Sequence, residues 1–186
     1  MPLKVHIVPT PPRSKRILWD QFHNLRYPSG YFPRDALDVK DDPFDWNADH
    51  PHTNFREMFT YLREKGYFIE VLGVPFTCID TSQYGTLMIV DPEEEYFPSE
   101  IEKLKDDVKN SGLSLLVIGD WYSVDVMKKI NFFDENTRQW WIPVTGGANV
   151  PALNDLLKEF DMSFGGRVYN GELSFDSKGY STTVII

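Results

Sequence analysis

The apolar positions of this chain fall into short runs and helical stripes that alternate along most of its length. Phe55, Met58, Phe59 and Leu62 stand at i, i+3, i+4 and i+7, which predicts a helix capped by Thr53 or Asn54 and stopped by Gly66. Phe68–Leu72 and Leu87–Val90 read as strands. Ser99 and Glu102 are spaced as a capping box ahead of Ile101, Leu104 and Val108, and Gly112 closes that helix. Leu113–Ile118 follows as a buried strand. Ser123 is placed to cap a short helix through Ile130, and Asn149 another whose Leu153, Leu156, Leu157 and Phe160 share one face.

Either end of the chain has a different texture. Leu3–Val8 alternates apolar and polar residues as a strand does, and the PTPP run after it denies the backbone donors that a strand needs. From Arg13 to Pro51 the periodicity disappears, and the segment fills with prolines, acids and rings (Trp19, Phe22, Tyr27, Tyr31, Phe32, Phe44, Trp46). So many aromatics predict a long loop packed onto the body, because disordered tracts are poor in them. At the other end, strand-like pieces flank Asn170-Gly171, a turn pair that suggests an antiparallel hairpin at the sheet edge.

Strands that alternate with helices of this length imply right-handed crossovers and a mainly parallel sheet covered on both faces. The expected fold is therefore a doubly wound α/β domain with a long aromatic N-terminal loop, occupying residues 1–186 as one unit. With 41% hydrophobic and 15% aromatic residues there is enough apolar mass for one core. A net charge of -9 opposes nucleic acid as a partner. No apolar stretch reaches the ~20 residues that cross a bilayer, so direct membrane insertion by this segment is not expected. Cys78 is the sole cysteine and cannot form an internal disulfide, and it reads as a buried, inert thiol.

Four strings stand out: PTPPRSKRILWDQFHNLRYPSGYFPRD from Pro9, DWNADHPHTNF from Asp45, QYGTLMIVDPEEEYFP from Gln83 and NTRQWWIPVTGGANVPALN from Asn136. Together they resemble the region that follows the catalytic domain in the site-1 protease family of subtilisin-like serine endopeptidases. The resemblance runs from about Leu3 to Phe175 and is lost from Asp176. It implies a class I glutamine-amidotransferase-like, or flavodoxin-like, fold. It also implies a parent anchored in the membrane of the Golgi or endoplasmic reticulum, with this segment in the lumen. Such parents cleave membrane-bound transcription factor precursors and other proproteins. The partner it implies is the subtilisin-like catalytic domain of the same parent, or another lumenal protein.

The protease chemistry itself is not encoded here. A subtilisin triad needs Asp-Thr/Ser-Gly, His-Gly-Thr and Gly-Thr-Ser contexts. Asp80-Thr81-Ser82 lacks the glycine, Gly85-Thr86 is followed by Leu87, and no histidine precedes a glycine. Asp120 follows the strand LSLLVIG at the place where an amidotransferase elbow would carry its cysteine, and a carboxylate there gives no attacking atom. No catalytic residue, cofactor or metal site is therefore expected.

The remaining constellations have a structural and a functional reading each. His50 and His52, with Asp45 and Asp49, have metal-ligating chemistry but suit a hydrogen-bonded loop. His6 and His23 have no such company in sequence. Gly146 and Gly147 before Asn149 would cradle an anion or make a tight turn into a cap. Arg13, Lys15 and Arg16 form an RSKR string fit for a processing protease, or a basic turn facing the acidic loop 35–49. Trp121, Tyr122, Trp140 and Trp141 would make an aromatic contact surface or pack inward. These readings combine into a non-catalytic structural and docking domain. The competing readings are a stand-alone amidotransferase-like hydrolase and a small-ligand module at the carboxyl ends of the strands.

Overall fold

The computed structural model describes residues 4, 9–24, 50–52, 55–119, 132–141, 148–165, 170–174 and 181–185. Its centre is a four-stranded parallel sheet of order β2-β1-β3-β4, built from β1 (Arg16–Asp20), β2 (Phe68–Leu72), β3 (Thr86–Val90) and β4 (Ser114–Ile118). The connection from β1 to β2 carries α1 (Arg56–Glu64) and steps one way across the sheet. That from β3 to β4 carries α2 (Pro98–Ser111) and steps the other way. Right-handed crossovers in opposite directions must place their helices on opposite faces, and the core divides accordingly.

On one face Ile17, Trp19, Met88 and Val90 pack against Phe59 of α1, with Phe55, Met58 and Leu62 at its margin. On the other, Leu18, Leu87 and Ile89 meet Leu104 of α2 and Val150, Leu153 and Leu156 of α3 (Val150–Leu157). The helical spacing read from the sequence thus marks the buried faces. The doubly wound, parallel α/β architecture is present as expected.

The central strand β1 is where expectation and structure part. Ile17, Leu18 and Trp19 were assigned to the aperiodic aromatic loop, yet they form the strand bonded on both sides. A strand covered on both faces shows no alternation, and Ile17 to Asp20 are all buried. Five residues between a basic run and a histidine give little else to read.

Smaller differences have local causes. α2 begins at Pro98, not after Ser99: Phe97 is its N-cap, and Glu100, not Glu102, reaches back to accept the Phe97 amide at 3.1 Å. β4 is less buried than expected: Leu115 and Val117 pack against the core, while Leu116 and Ile118 on the other face stand exposed. Asn170 and Gly171 open strand β7 (Asn170–Ser174), which pairs with β8 (Ser181–Ile185) as a separate two-stranded sheet instead of turning at the edge of the main one. Cys78 is exposed on a short 3-10 turn, not buried. Of the strand expected at Leu3–Val8 only Lys4 is described, with no strand assigned to it, and the caps Thr53 and Asn54, most of the long loop (25–49) and the helix expected at Ser123–Ile130 lie outside the described residues.

Candidate functional site

A parallel α/β sheet binds ligands in the crevice where the winding direction reverses, beyond the carboxyl ends of its strands. Here that crevice lies between β1 and β3. Asp20, the last residue of β1, points to the same face as Leu18 and hence toward α2, because side chains alternate along a strand. Its Oδ1 accepts the amides of Phe22 (3.1 Å) and His23 (3.4 Å), which turns the chain sharply and brings His23 back beneath it.

The His23 ring then lies between two carboxylates. Nδ1 is 2.8 Å from Asp20 Oδ2, and Nε2 is 3.3 Å from Glu100 Oε2. All three residues are at most 1% exposed. Glu100 comes from the first turn of α2, and besides His23 it accepts the amides of Phe76 (2.7 Å) and Phe97 (3.1 Å). Aromatic rings close the surroundings, with centroids of Phe76, Tyr96 and Phe22 at 4.6, 4.5 and 5.0 Å from that of His23. The Tyr96 hydroxyl is buried without a hydrogen-bond partner among the described residues.

Electrostatics follow from this burial. Desolvation pulls the His23 imidazole toward its neutral form, but the Asp20 hydrogen bond and the charges of Asp20 and Glu100 outweigh it, and its pKa is raised. Burial also raises Asp20 above the usual carboxylate range, with His23 partly opposing it. Desolvation, then the fields of Asp20 and Glu100, push the Tyr96 phenol well above its ordinary value. The state that satisfies both ring nitrogens is an imidazolium donating to each carboxylate.

Beside this cluster is a cavity of about 340 Å³ lined by Phe22, His23, Asn24, Glu94, Glu95 and Phe97. Its walls are held by the backbone. The amides of Glu93 and Glu94 donate to the His23 carbonyl at 3.0 and 2.9 Å, and Asn24 Nδ2 donates to the Asp91 carbonyl at 2.9 Å. From the far side, the Asn149 amide donates to the Pro92 carbonyl at 2.7 Å, while its Oδ1 caps α3 by accepting from Ala152. Asn149 is thus a cap and a brace in this geometry.

The other residues singled out from the sequence are scattered. Trp140 stands on a hairpin of β5 (Phe132–Asp134) and β6 (Gln139–Trp141); it is 66% exposed, with the Phe133 ring 5.6 Å away. Trp141 follows it in β6 and pairs with Phe132. Arg13 donates to the carbonyls of Tyr84 (2.8 Å) and Ser111 (2.6 Å), Lys15 lies over the Tyr67 ring, and Arg16 begins β1 with its guanidinium over Tyr84. His50 Nδ1 accepts the His52 amide at 3.1 Å, and burial followed by the neighbouring His52 lowers its pKa to about 4. Among the described residues no group of three or more His, Cys, Asp or Glu is placed to hold a metal. Asp45, Asp49, Asp120, Trp121, Tyr122, Gly146 and Gly147 lie outside them, as does His6.

His23 has no metal-ligating company in sequence, and its carboxylate partners are brought together by the fold. Its partner Glu100 is 77 residues away in sequence. The only linear signal was Asp20 three residues before it, directly after a short apolar run.

This fold and site define a doubly wound domain of the glutamine-amidotransferase-like class, with a closed ionic cluster at its winding reversal. The chain belongs to the family described as MBTPS1, fourth GATase-like domain, whose model matches residues 11–184. It is 66% identical over 174 residues to the membrane-bound transcription factor site-1 protease of Homo sapiens, covering 94% of this chain. It is also 66% identical to that of Mus musculus, over 172 residues and 92% of the chain. Against the subtilisin-like protease SBT6.1 of Arabidopsis thaliana it is 60% identical over 176 residues, 95% of the chain. The chain spans 16–17% of the length of these relatives. The match continues past Asp176, where the resemblance was expected to end.

Proposed function

We propose that this single domain is a non-catalytic docking module of a site-1-protease-like endopeptidase. It holds or positions the subtilisin-like catalytic domain of the same parent in the lumen of the Golgi or endoplasmic reticulum. The observation that carries this reading is the state of the winding-reversal crevice, where an enzyme of this fold would do its chemistry. There His23 has both ring nitrogens committed to buried carboxylates, and Glu100 has both oxygens committed to His23 and two backbone amides. A general base must reach a substrate proton, and these atoms are already engaged.

Docking is supported by Trp140, which presents a large ring to solvent beside Phe133. Exposed Trp residues of this kind anchor protein interfaces. Trp121, Tyr122, Trp141, Gly146 and Gly147 belong to the same proposed contact set on sequence grounds. The parent's activity, cleavage of membrane-bound transcription factor precursors and other proproteins, is proposed from the relatives. A stand-alone amidotransferase is not favoured, because Cys78 sits on the 3-10 turn after β2 and not at a strand-to-helix elbow.

The test is made in the full-length parent. Deleting this domain, or replacing Trp140 and Phe133 together by alanine, is expected to reduce maturation and secreted protease activity, with the triad of the catalytic domain intact. A parent lacking the domain that matures and cleaves at the normal rate overturns the reading.

A further inference from the structure

We propose that Asp20, His23 and Glu100 form a proton-operated clasp that fastens the start of α2 and the segment after β2 to the carboxyl end of β1, and releases them when His23 loses its proton. The inference rests on connectivity. Asp20 belongs to β1, Glu100 to α2, and Phe76, whose amide Glu100 accepts, to the turn following β2. One histidine therefore joins three elements that meet at the winding reversal, and it does so through two charge-assisted bonds, with no other cation in the cluster among the described residues.

The two bonds respond differently to deprotonation. A neutral imidazole keeps one N–H. Asp20 is the nearer acceptor, at 2.8 Å against 3.3 Å, so Nδ1 retains the hydrogen and Nε2 turns a lone pair toward Glu100 Oε2. Two acceptors then face each other in a buried site, where such a mismatch is costly. Glu100 is the carboxylate left without a ring donor, and its withdrawal from the lone pair would strip the Phe76 and Phe97 amides of their acceptor.

The proton has a way out. His23 is buried, but its segment borders the cavity beside Phe22, Asn24 and Phe97, so solvent-sized space lies next to the cluster without unfolding of the sheet. Among the described residues, the titratable groups around His23 are Asp20 at the end of β1, Glu100 on α2, Tyr96 with its ring tilted against the imidazole, and Glu94 and Glu95 at the cavity rim. Each of the four carboxylates, when ionised, favours the charged imidazolium, and Tyr96 stays neutral over the range concerned. The device thus closes in acid and opens as the pH rises. This inference stands apart from docking: it concerns the motion of α2, whatever the domain binds.

The experiment follows the 186-residue chain between pH 5.5 and 8.5. The carbon and proton shifts of the His23 ring are read by NMR, together with amide hydrogen exchange at Phe76, Phe97 and Glu100 corrected for intrinsic rate. The expected result is a single midpoint shared by the ring and by the Phe76 and Phe97 amides, with protection falling about tenfold above it, the equivalent of one charged hydrogen bond. Glu100→Gln is expected to abolish the dependence, because its amide can donate to a neutral Nε2 or accept from a charged one. A His23 ring that does not titrate in this range, or Phe76 and Phe97 protection that stays flat through its midpoint, overturns the proposal. These two wild-type readouts decide the matter even if the variant does not fold.

Discussion

The Nε2 atom of His23 stands 3.3 Å from Oε2 of Glu100, a residue on another element 77 positions away. Because both groups are almost fully buried, removing one leaves charge that water cannot reach. His23→Leu is expected to destabilise the domain by ~3–5 kcal/mol, the range seen when a buried ion cluster loses a partner. By contrast, Lys158 and Asp155 pair at 2.9 Å with side chains 63% and 68% exposed. Lys158→Ala should cost less than ~1 kcal/mol, since solvent screens such a pair. Urea denaturation of both variants checks the contrast, and equal costs would contradict it.

Close approach of backbone to backbone gives a second expectation. A Cβ on Gly85 would lie 2.7 Å from the Arg13 carbonyl oxygen and 3.1 Å from Ser14 Cα, so neither neighbour can rotate away as a side chain would. Gly85→Ala should therefore destabilise by ~1–3 kcal/mol, as overpacking does. Gly73 has nothing within 4 Å of the same position. Gly73→Ala should be neutral or slightly stabilising, by up to ~1 kcal/mol, through the unfolded chain. Thermal unfolding of the two variants side by side distinguishes them.

These two sites also show what a reader of the sequence can and cannot reach. The stripe Phe55, Met58, Phe59, Leu62 was legible because a helix repeats its buried face locally, and so was the Asn149 cap on α3. The alternation of such helices with apolar runs was enough for the doubly wound class. β1 was not legible, because burial on both faces erases the period that identifies a strand. Nor was the cluster at the crevice: only folding brings Glu100 to His23, and nothing near Glu100 in sequence names its partner. Gly85 stands in the same position, its constraint being imposed by Arg13 from across the turn.

The histidines give opposed pH dependences whose signs are fixed by their shifts. The His50 pKa is lowered to about 4 by burial and by His52, and its Nδ1 must remain a lone pair to accept the His52 amide. The unfolded chain binds this proton from about pH 6.5 downward, so stability is full above that value and falls as the pH drops toward 4. His23 is raised, so its contribution is full below about pH 6.5 and is lost as the pH climbs through its folded-state value. His50→Gln is expected to flatten the acid limb of a plot of urea midpoint against pH and leave the upper limb in place. A variant whose acid limb is as steep as the parent's would remove His50 as its cause.

The RSKR string yields the last expectation, because a processing protease needs an extended, accessible segment and this one is built into the sheet. Arg13 is tied through its guanidinium to the carbonyls of Tyr84 and Ser111, and Arg13–Lys15 is coiled as a 3-10 turn. Arg16 pairs in register with Phe68 of β2, and the bond on its carboxyl side leads straight into Ile17 of the central strand. To occupy a protease's subsites on both sides of that bond, with Arg13–Arg16 before it and Ile17 onward after it, β1 would have to leave β2 and β3 together, which amounts to unfolding the domain. Cleavage by a protease specific for paired basic residues should therefore track the unfolded fraction. The folded chain is expected to resist, urea is expected to expose it, and Gly85→Ala, which loosens the turn against Arg13, should be cut faster than wild type at equal protease. Rapid cutting of the folded wild-type chain after Arg16 would show that this turn opens without the sheet.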